Sequence, residues 1–470
     1  MGLFRENGGS GEVSPFYRPQ WLVAIGFLTI ILIGTGLFLM PFSVASGAKP
    51  LSFSEALFTS ATSACVTGLM VIDIGTRLSV AGQCVLLALV QICGIGLMAA
   101  TTFLLVIFGR RLSLQSEFAV MDAIGSKGVY GVRGLVCWVI GITLFFELAG
   151  TAVLLPCYLH PMCPELPPMS FRRAVFYAFF HAVSAFCNAG VSLHSNGLAY
   201  FMDDPVYLGV IGTLVLLGSL GFLVLFNLVT IKFWRKNLLE RGALSMHSKV
   251  VLSATAVLVL FSAATFLWAE WNHALAAMPP GHRWYGALFH AVSSRTAGFS
   301  ALDMASTTEF SRHITAFMML VGGSPGSSAG GIKTTTLVVL AMTVISMCRN
   351  NPNTVIFSRT IPQSIVREAI VIVLLALTTI FVAYGLLLFT EASAGDTHGG
   401  RLLFETVAAT STAGMSTNQT EMLSAAGRCI IICCMYIGRI GPLAIAFMIG
   451  SGDDYQRGRI VYPDGEIVVG

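Results

Sequence analysis

Four stretches of the chain end in the same small-residue step: Val66-Thr67-Gly68, Asn188-Ala189-Gly190, Thr296-Ala297-Gly298 and Thr412-Ala413-Gly414. Each follows an apolar, aromatic-containing run by roughly ten residues. The copies read LFTSATSACVTGL, FFHAVSAFCNAGVS, LFHAVSSRTAGFS and LFETVAATSTAGMS, and their glycines are 122, 108 and 116 residues apart. A unit repeated along a chain decides the architecture before any local reading does. Four loop units in one polypeptide predict a single pore of four-fold design.

Composition supplies the solvent. Hydrophobic residues make up 55% of the 470 and charged residues only 11%, against roughly 25% charged in a soluble domain. Runs such as Trp21 to Met40 and Val206 to Ile231 reach the ~20 residues a helix needs to cross a ~30 Å hydrocarbon core. The chain reads as an all-α polytopic membrane protein. A polar arm of 20 residues precedes the first run, without a small-x-small cleavage site, so that run is read as a retained helix. The 11 cysteines lie mostly inside apolar runs and show no paired metal-ligand spacing. Cys157 and Cys163 lie close together near a predicted loop, but spacing does not establish the geometry of a bridge. A net charge of +4 says little about partners, and no basic, aromatic-interleaved patch points to nucleic acid.

Each unit resolves into an outer helix M1, a short re-entrant helix P, the glycine loop and an inner helix M2. The predicted layout is an arm at 1–20, units at 21–109, 110–234, 235–348 and 349–452, and a tail at 453–470. The M1 and M2 helices are expected at Trp21 to Met40 and Val80 to Phe108, Leu135 to Leu159 and Val206 to Trp234, Val250 to Asn272 and Ile314 to Met347, and Ile365 to Thr390 and Ala425 to Gly450. That makes eight crossings. Phe53 to Ala64, Phe171 to Phe186, Trp284 to Ser294 and Leu402 to Ser411 are too short to span and fit four re-entrant pore helices. Basic residues including Arg110, Arg111, Lys127, Arg133, Arg235, Lys236, Arg241, Arg349 and Arg359 favour one side by about fifteen to eight. Both termini are therefore expected in the cytoplasm. The longest polar connection, Arg110 to Gly134, leaves no room for a soluble domain.

Non-helical backbone at membrane depth must be buried in protein or line a water-filled cavity. Four converging loops could offer carbonyl oxygens in place of a cation's hydration shell, with glycine turning successive carbonyls towards one axis. Gly68, Gly190, Gly298 and Gly414, each with its two preceding residues, are the candidate filter for K+. Asp73 and Asp303 lie five residues after the first and third glycines, matched by Ser195 and Gln419 in the other units. They admit two readings, a cation-concentrating outer mouth or helix caps. Arg295 beside a cation filter must face away from it, and Glu55 or Glu405 is its expected partner. Glu147 reads as a structural hydrogen-bonding residue rather than a proton carrier.

The sixth crossing is interrupted by GGSPGSSAGGIKTTT, residues Gly322 to Thr336. A regular helix does not survive five glycines and a proline there. A phosphate-binding loop needs Lys directly after Gly, but Ile332 separates Gly331 from Lys333, so nucleotide binding is rejected. The better reading is an unwound segment on the conduction path, a candidate gate comprising Gly322, Gly323, Ser324, Pro325, Gly326, Ser327, Ser328, Ala329, Gly330, Gly331 and Lys333. Arg439 in the last inner helix sits at comparable depth and joins it. Snorkelling of Lys333 and Arg439 to the cytoplasmic face is the alternative.

Together these residues resemble the Trk/Ktr/HKT superfamily of potassium transporters over nearly the whole chain. The family has four M1-P-M2 units with one filter glycine each, and SPGSSAGGIKTTT looks like its intramembrane gating loop. Ile437-Gly438-Arg439-Ile440-Gly441-Pro442-Leu443 and the ending YPDGEIVVG are similar to the bacterial KtrB type. About twenty residues precede the first crossing, so the extra N-terminal helices of the Trk type are not expected. The resemblance implies potassium uptake, passive or sodium-assisted, with K+ preferred over Na+ because Gly68 occupies the first filter position. It implies a homodimer in a bacterial plasma membrane, with Gly470 near the dimer contact. A cytoplasmic ring of KtrA-like regulatory subunits would bind ATP or ADP, and the chain itself needs no covalent cofactor. The rivals are an ion-coupled secondary cation transporter with an occluded midplane site, and a membrane enzyme using His181, His194 or His290. Matching pore-helix positions explain His181 and His290 more simply.

Overall fold

A computed structural model describes residues 19–108, 132–163, 166, 168–231, 244–392 and 399–441. The arm up to residue 18, most of the Arg110 to Gly134 connection, the basic residues Arg235, Lys236 and Arg241, the Pro442-Leu443 pair and the tail with Gly470 lie outside the described residues.

The expected M1-P-M2 order recurs in every unit. The first contains α1 (Pro19–Leu39), the re-entrant α2 (Phe53–Cys65), a single turn α3 (Ile74–Arg77) and α4 (Val80–Phe108). The second contains α5 (Val132–Leu159), α6 (Phe171–Phe186), α7 (Pro205–Leu220) and α8 (Phe222–Thr230). The third contains α9 (Met246–Glu270), α10 (Arg283–Thr296), α11 (Glu309–Leu320) and α12 (Thr334–Cys348). The fourth contains α13 (Gln363–Glu391), α14 (Gly399–Thr410) and α15 (Ala425–Ile440). A hairpin of two two-residue strands, β1 (Val355–Ile356) and β2 (Arg359–Thr360), links the third and fourth units.

Polarity is inverted relative to a water-soluble bundle. Large apolar side chains such as Leu32, Ile33, Phe145, Leu260, Phe381 and Phe389 face outward, whereas Thr59, Ser60, Thr62 and Ser63 of α2 are buried at the centre. The hydroxyls are satisfied within the protein. Thr59 Oγ1 donates to Glu55 O at 2.8 Å, Ser63 Oγ to Thr59 O at 2.6 Å, and Ser60 Oγ to Ile31 O of α1 at 2.6 Å. In hydrocarbon, packing and internal hydrogen bonds replace the hydrophobic effect as the force between helices. Residues Cys137–Leu159 of α5, and α9 and α13 entire, are each long and apolar enough to cross alone.

Helix ends are held locally. Ser52 and Glu55 form a capping box on α2, and Asp204 caps α7 ahead of Pro205 at its first turn. Units three and four share a further device. Glu270, the last residue of α9, accepts from the backbone N–H (3.0 Å) and hydroxyl (2.6 Å) of Thr308, the N-cap of α11. Glu391, the last residue of α13, accepts from the same two groups of Ser424, the N-cap of α15, at 3.2 and 2.6 Å. Each carboxylate fastens the C-terminal end of M1 to the start of M2 across the intervening pore helix. Hydrogen bonds to charged groups contribute about 1.5–3 kcal/mol each.

One expectation changes. The second inner helix, expected to run unbroken from Val206 to Trp234, bends by 101° between α7 and α8. Gly221 adopts φ +79° at the break, and the carbonyls freed there are taken by the loop of the third unit. Glycine and serine close together are a common cause of such kinks, and Gly218-Ser219-Leu220-Gly221 supplies both. Cys157 and Cys163, whose spacing left a bridge open, are free thiols.

Candidate filter and gate

The four loops start from the C-termini of α2, α6, α10 and α14, whose final turns are buried. In three units the chain leaves the helix through one left-handed residue: Val66 (φ +54°), Asn188 (+57°) and Thr412 (+50°). The next N–H reaches back five residues, Thr67 to Thr62 O at 2.9 Å, Ala189 to Ser184 O at 2.8 Å and Ala413 to Ala408 O at 2.9 Å. A non-glycine residue in this region costs roughly 1–2 kcal/mol. The third unit differs. Phe58, Phe180 and Phe404 stand ten residues before their glycines, but Phe289 stands nine before Gly298. The missing residue is the left-handed one, so Thr296 remains helical and both Ala297 N and Gly298 N bond to Ser293 O, at 2.9 and 3.3 Å.

All four glycines nevertheless reach the same place. Gly68, Gly190, Gly298 and Gly414 have φ of +96°, +65°, +75° and +79°. A Cβ on Gly68 would strike the carbonyl oxygen of Ala189, one on Gly190 that of Ala297, one on Gly298 that of Ala413, and one on Gly414 that of Thr67. Each glycine thus abuts the carbonyl one residue before the next unit's glycine, and the cycle closes on itself. The structure brings the sequence-predicted residues of all four loops together in one ring. Thr67 Oγ1 and Thr412 Oγ1 are buried there without hydrogen-bond partners.

Side chains behind the ring differ by unit. Thr62 Oγ1 accepts from Gly68 N at 3.1 Å, Ser184 Oγ exchanges bonds with both N and O of Val191 at 2.9 Å, and Ser293 Oγ donates to Phe299 O at 2.6 Å. Buried Glu405 accepts from Ser416 Oγ (2.8 Å), Thr417 N (2.6 Å), Thr417 Oγ1 (3.0 Å) and Thr420 Oγ1 (2.5 Å). It braces the segment rising from the fourth loop. His181 does the same in the second unit, with Nε2 3.2 Å from Ser192 Oγ and Nδ1 3.0 Å from Tyr158 OH. His290 Nε2 is 3.0 Å from Thr315 Oγ1. Glu147 accepts from Gln91 Nε2 at 2.9 Å, in keeping with its structural reading.

Asp73 and Asp303 are caps. Asp73 Oδ1 accepts from Gly75 N (2.9 Å) and Asp303 Oδ1 from Ala305 N (3.0 Å). Each also crosses to the neighbouring unit, Asp73 Oδ2 accepting from Ser195 Oγ (2.6 Å) and Asp303 Oδ1 from Asn418 Nδ2 (3.3 Å).

The unwound segment between α11 and α12 has a neck and a crown. At the neck, Gly322 N donates to Ile332 O (2.9 Å), Ile332 N to Leu320 O (3.1 Å) and Thr334 N to Gly323 O (3.0 Å), with a parallel bridge between Val321 and Ile332. The crown reaches into the break of the second inner helix, where Ser324 N donates to Ser219 O (3.0 Å), Phe222 N to Gly326 O (3.2 Å), and Ser324 Oγ to Leu220 O. Ser328 Oγ lies 2.8 Å from the side-chain amide of Asn188. A Cβ on Gly330 would strike Thr412 Oγ1. The crown therefore presses on the filter loops of units two and four. Arg439 Nη1 donates to Ser328 O, and its Nη2 to Cys93 O at 3.1 Å. Lys333 Nζ donates to Ala329 O at 2.6 Å. Arg439 is buried and Lys333 half-buried, and each donates to a carbonyl of the loop, Ser328 O and Ala329 O.

Arg295 does not pair as expected. Glu55 is held by Ser52 and lies 3.9 Å from Arg77, and Glu405 is saturated by hydroxyls and an amide. Arg295 Nη2 instead donates to Gly322 O (3.1 Å) and Thr334 Oγ1 (3.2 Å).

A family model named TrkH, described as a cation transport protein, matches residues 31–454. The chain belongs to the TrkH family. It is 34% identical over 456 residues to the Ktr system potassium uptake protein B of Bacillus subtilis, covering 97% of both chains. It is 32% identical over 471 residues to the protein of the same name from Vibrio alginolyticus, covering 100% of this chain and 98% of the other. The potassium/sodium uptake protein NtpJ of Enterococcus hirae is 29% identical over 453 residues, with 96% and 97% covered. The crystal structure of the potassium transporter TrkH from Vibrio parahaemolyticus superposes with a TM-score of 0.72 at 16% identity, over 95% of this chain and 87% of that one. This TrkH-family member is thus a polytopic helical membrane protein of the KtrB type in the Trk/Ktr superfamily. It is an ion transporter, not an enzyme.

Proposed function

We propose that the chain conducts K+ inward across a bacterial plasma membrane, through a filter formed by the four glycine loops and closed by the crown of the third unit's loop. The observation that carries this reading is the closed cycle of Gly68, Gly190, Gly298 and Gly414 against neighbouring carbonyls, with the crown seated against two of its loops. Carbonyl rings replace a cation's hydration shell, and conduction requires the crown to leave. The names of the Bacillus and Vibrio relatives support potassium as the ion, and that of NtpJ supports sodium as a second ion sharing or assisting the path. In this reading the protein is a homodimer with a pore in each protomer and both termini cytoplasmic. Separate nucleotide-binding subunits regulate it, so ATP or ADP acts only through them. Asp73 and Asp303 sit at the outer mouth, where their charge also concentrates cations.

The test is K+, Rb+ and Na+ flux into liposomes holding purified protein. Gly190→Ser is expected to lose selectivity, and deletion of 325–331 to raise basal flux. If neither variant changes flux, the pore reading fails and a coupled carrier with an occluded site takes its place.

A further inference from the structure

We infer that Arg295 is a positioning residue that clamps the neck of the gate loop to the third filter loop, so that the gate opens by movement of its crown alone. The inference rests on the filter-and-gate reading above.

Arg295 is 2% exposed and lies on the last turn of α10, three residues before Gly298. Among the described residues it has no carboxylate partner. Its Nη2 bridges Gly322 O and Thr334 Oγ1, and Thr334 Oγ1 itself donates to Gly322 O at 3.0 Å. Gly322 and Thr334 are the two roots of the loop. The guanidinium therefore closes a three-membered knot across the base of the crown, on top of the backbone bonds of the neck. Its Nε and Nη1 are buried without partners. A guanidinium already short of acceptors in low dielectric cannot cheaply surrender two more, so the neck stays shut when the crown moves.

The crown is held differently. Apart from backbone bonds at the helix break, it rests on Ser324, Ser328, Lys333 and Arg439, each bonded to a carbonyl or hydroxyl. In an open pore these bonds are exchanged for water, that of buried Arg439, whose Nε also lacks a partner, at the greatest cost. The third unit's lost left-handed residue fits the same arrangement, because it leaves Arg295 within the rigid helix rather than on a flexible turn. Displacement at the neck would pass through the guanidinium to the helix end carrying Ala297 and Gly298.

Basal K+ and Na+ flux of the full chain in liposomes, without regulatory subunits, tests the clamp. Arg295→Gln is expected to raise basal flux severalfold and to lower the K+/Na+ ratio, since neck and filter loosen together. Thr334→Val removes only the neck's share and is expected to raise basal flux at an unchanged ratio. Arg295→Lys, with one ammonium for two acceptors, is expected to fall between wild type and Arg295→Gln. Deletion of 325–331 provides the reference for an open gate. If the deletion raises flux but Thr334→Val and Arg295→Gln keep wild-type basal flux, the clamp is overturned while the gate stands. A silent deletion overturns the gate reading, and the clamp with it. Should Arg295→Gln fail to fold, Thr334→Val decides alone.

Discussion

Replacing Glu405 by Gln isolates the brace behind the fourth filter loop without changing its shape. The carboxylate accepts four hydrogen bonds, three of them on Oε1 from Ser416 and Thr417 and one on Oε2 from Thr420. In the variant the amide oxygen can keep the first three as neutral bonds, and the amide nitrogen faces the Thr420 hydroxyl. Bonds to a charged acceptor contribute about 1.5–3 kcal/mol and neutral ones about 0.5–1.5, so roughly 1 kcal/mol is lost from each. Relief of the cost of burying a charge offsets part of that sum, leaving an expected net destabilisation of about 2 kcal/mol. Thr417 lies three residues beyond Gly414, so slack there reaches the ring. If about 1.4 kcal/mol of the strain falls on ion discrimination, the K+/Na+ flux ratio drops about tenfold. Flux in liposomes and the thermal midpoint in detergent are measured together. A lowered midpoint with a wild-type flux ratio would refute the link from brace to filter, and no change in either would refute the brace.

Gly414→Ala forces a Cβ onto Thr67 O at a residue with φ +79°, and is expected to lower K+ flux at least tenfold in the same liposome assay while the other three loops keep their sequence. Gly221→Ala places a Cβ 2.6 Å from Ser324 Oγ and 2.8 Å from Pro325 O. The crown should then fail to seat in the helix break, and basal flux should rise without loss of selectivity. Asp73→Asn with Asp303→Asn should weaken uptake at low ionic strength, where charge steering is strongest, and leave the selectivity ratio intact; equal uptake at low salt would leave capping as their whole role. Glu391→Ala strips the acceptor from Ser424 N and Oγ, with an expected loss of about 2–4 kcal/mol from two charge-assisted bonds, read as a lowered thermal midpoint.

The repeat was legible because membrane solvent permits few solutions: an apolar run long enough to span, a short one that cannot, and a glycine at the turn. The re-entrant helices fall within a few residues of their expected ends for the same reason. The interrupted sixth crossing was legible through its glycines. The break at Gly221 was not foreseen, because its flanks are strongly apolar and the bend depends on a loop more than 100 residues later. A count from Phe289 to Gly298 would have exposed the shortened third loop, yet the shared Thr-Ala-Gly ending conceals it. Arg295 does not pair with a carboxylate because the backbone carbonyl freed at the broken helix, Gly322 O, and the Thr334 hydroxyl lie within reach of its guanidinium. The roles of Glu270 and Glu391 were written only as a glutamate closing an apolar run, a weak signal until the N-caps of the following helices are placed beside it.

The shortened third loop bears on why such a pore is made from one chain. A ring of four identical subunits must repeat every feature four times around its axis. It would bury four guanidiniums beside a path for cations and crowd four obstructing loops into space for one. Covalent linkage removes that constraint, since each quadrant can be edited alone. Here one quadrant gives up a residue, carries the arginine and supplies the proposed plug, the second contributes the notch that receives it, and the fourth adds Arg439 to hold it. In the proposed reading, the asymmetry allows a single moving part to control a site that all four quadrants build.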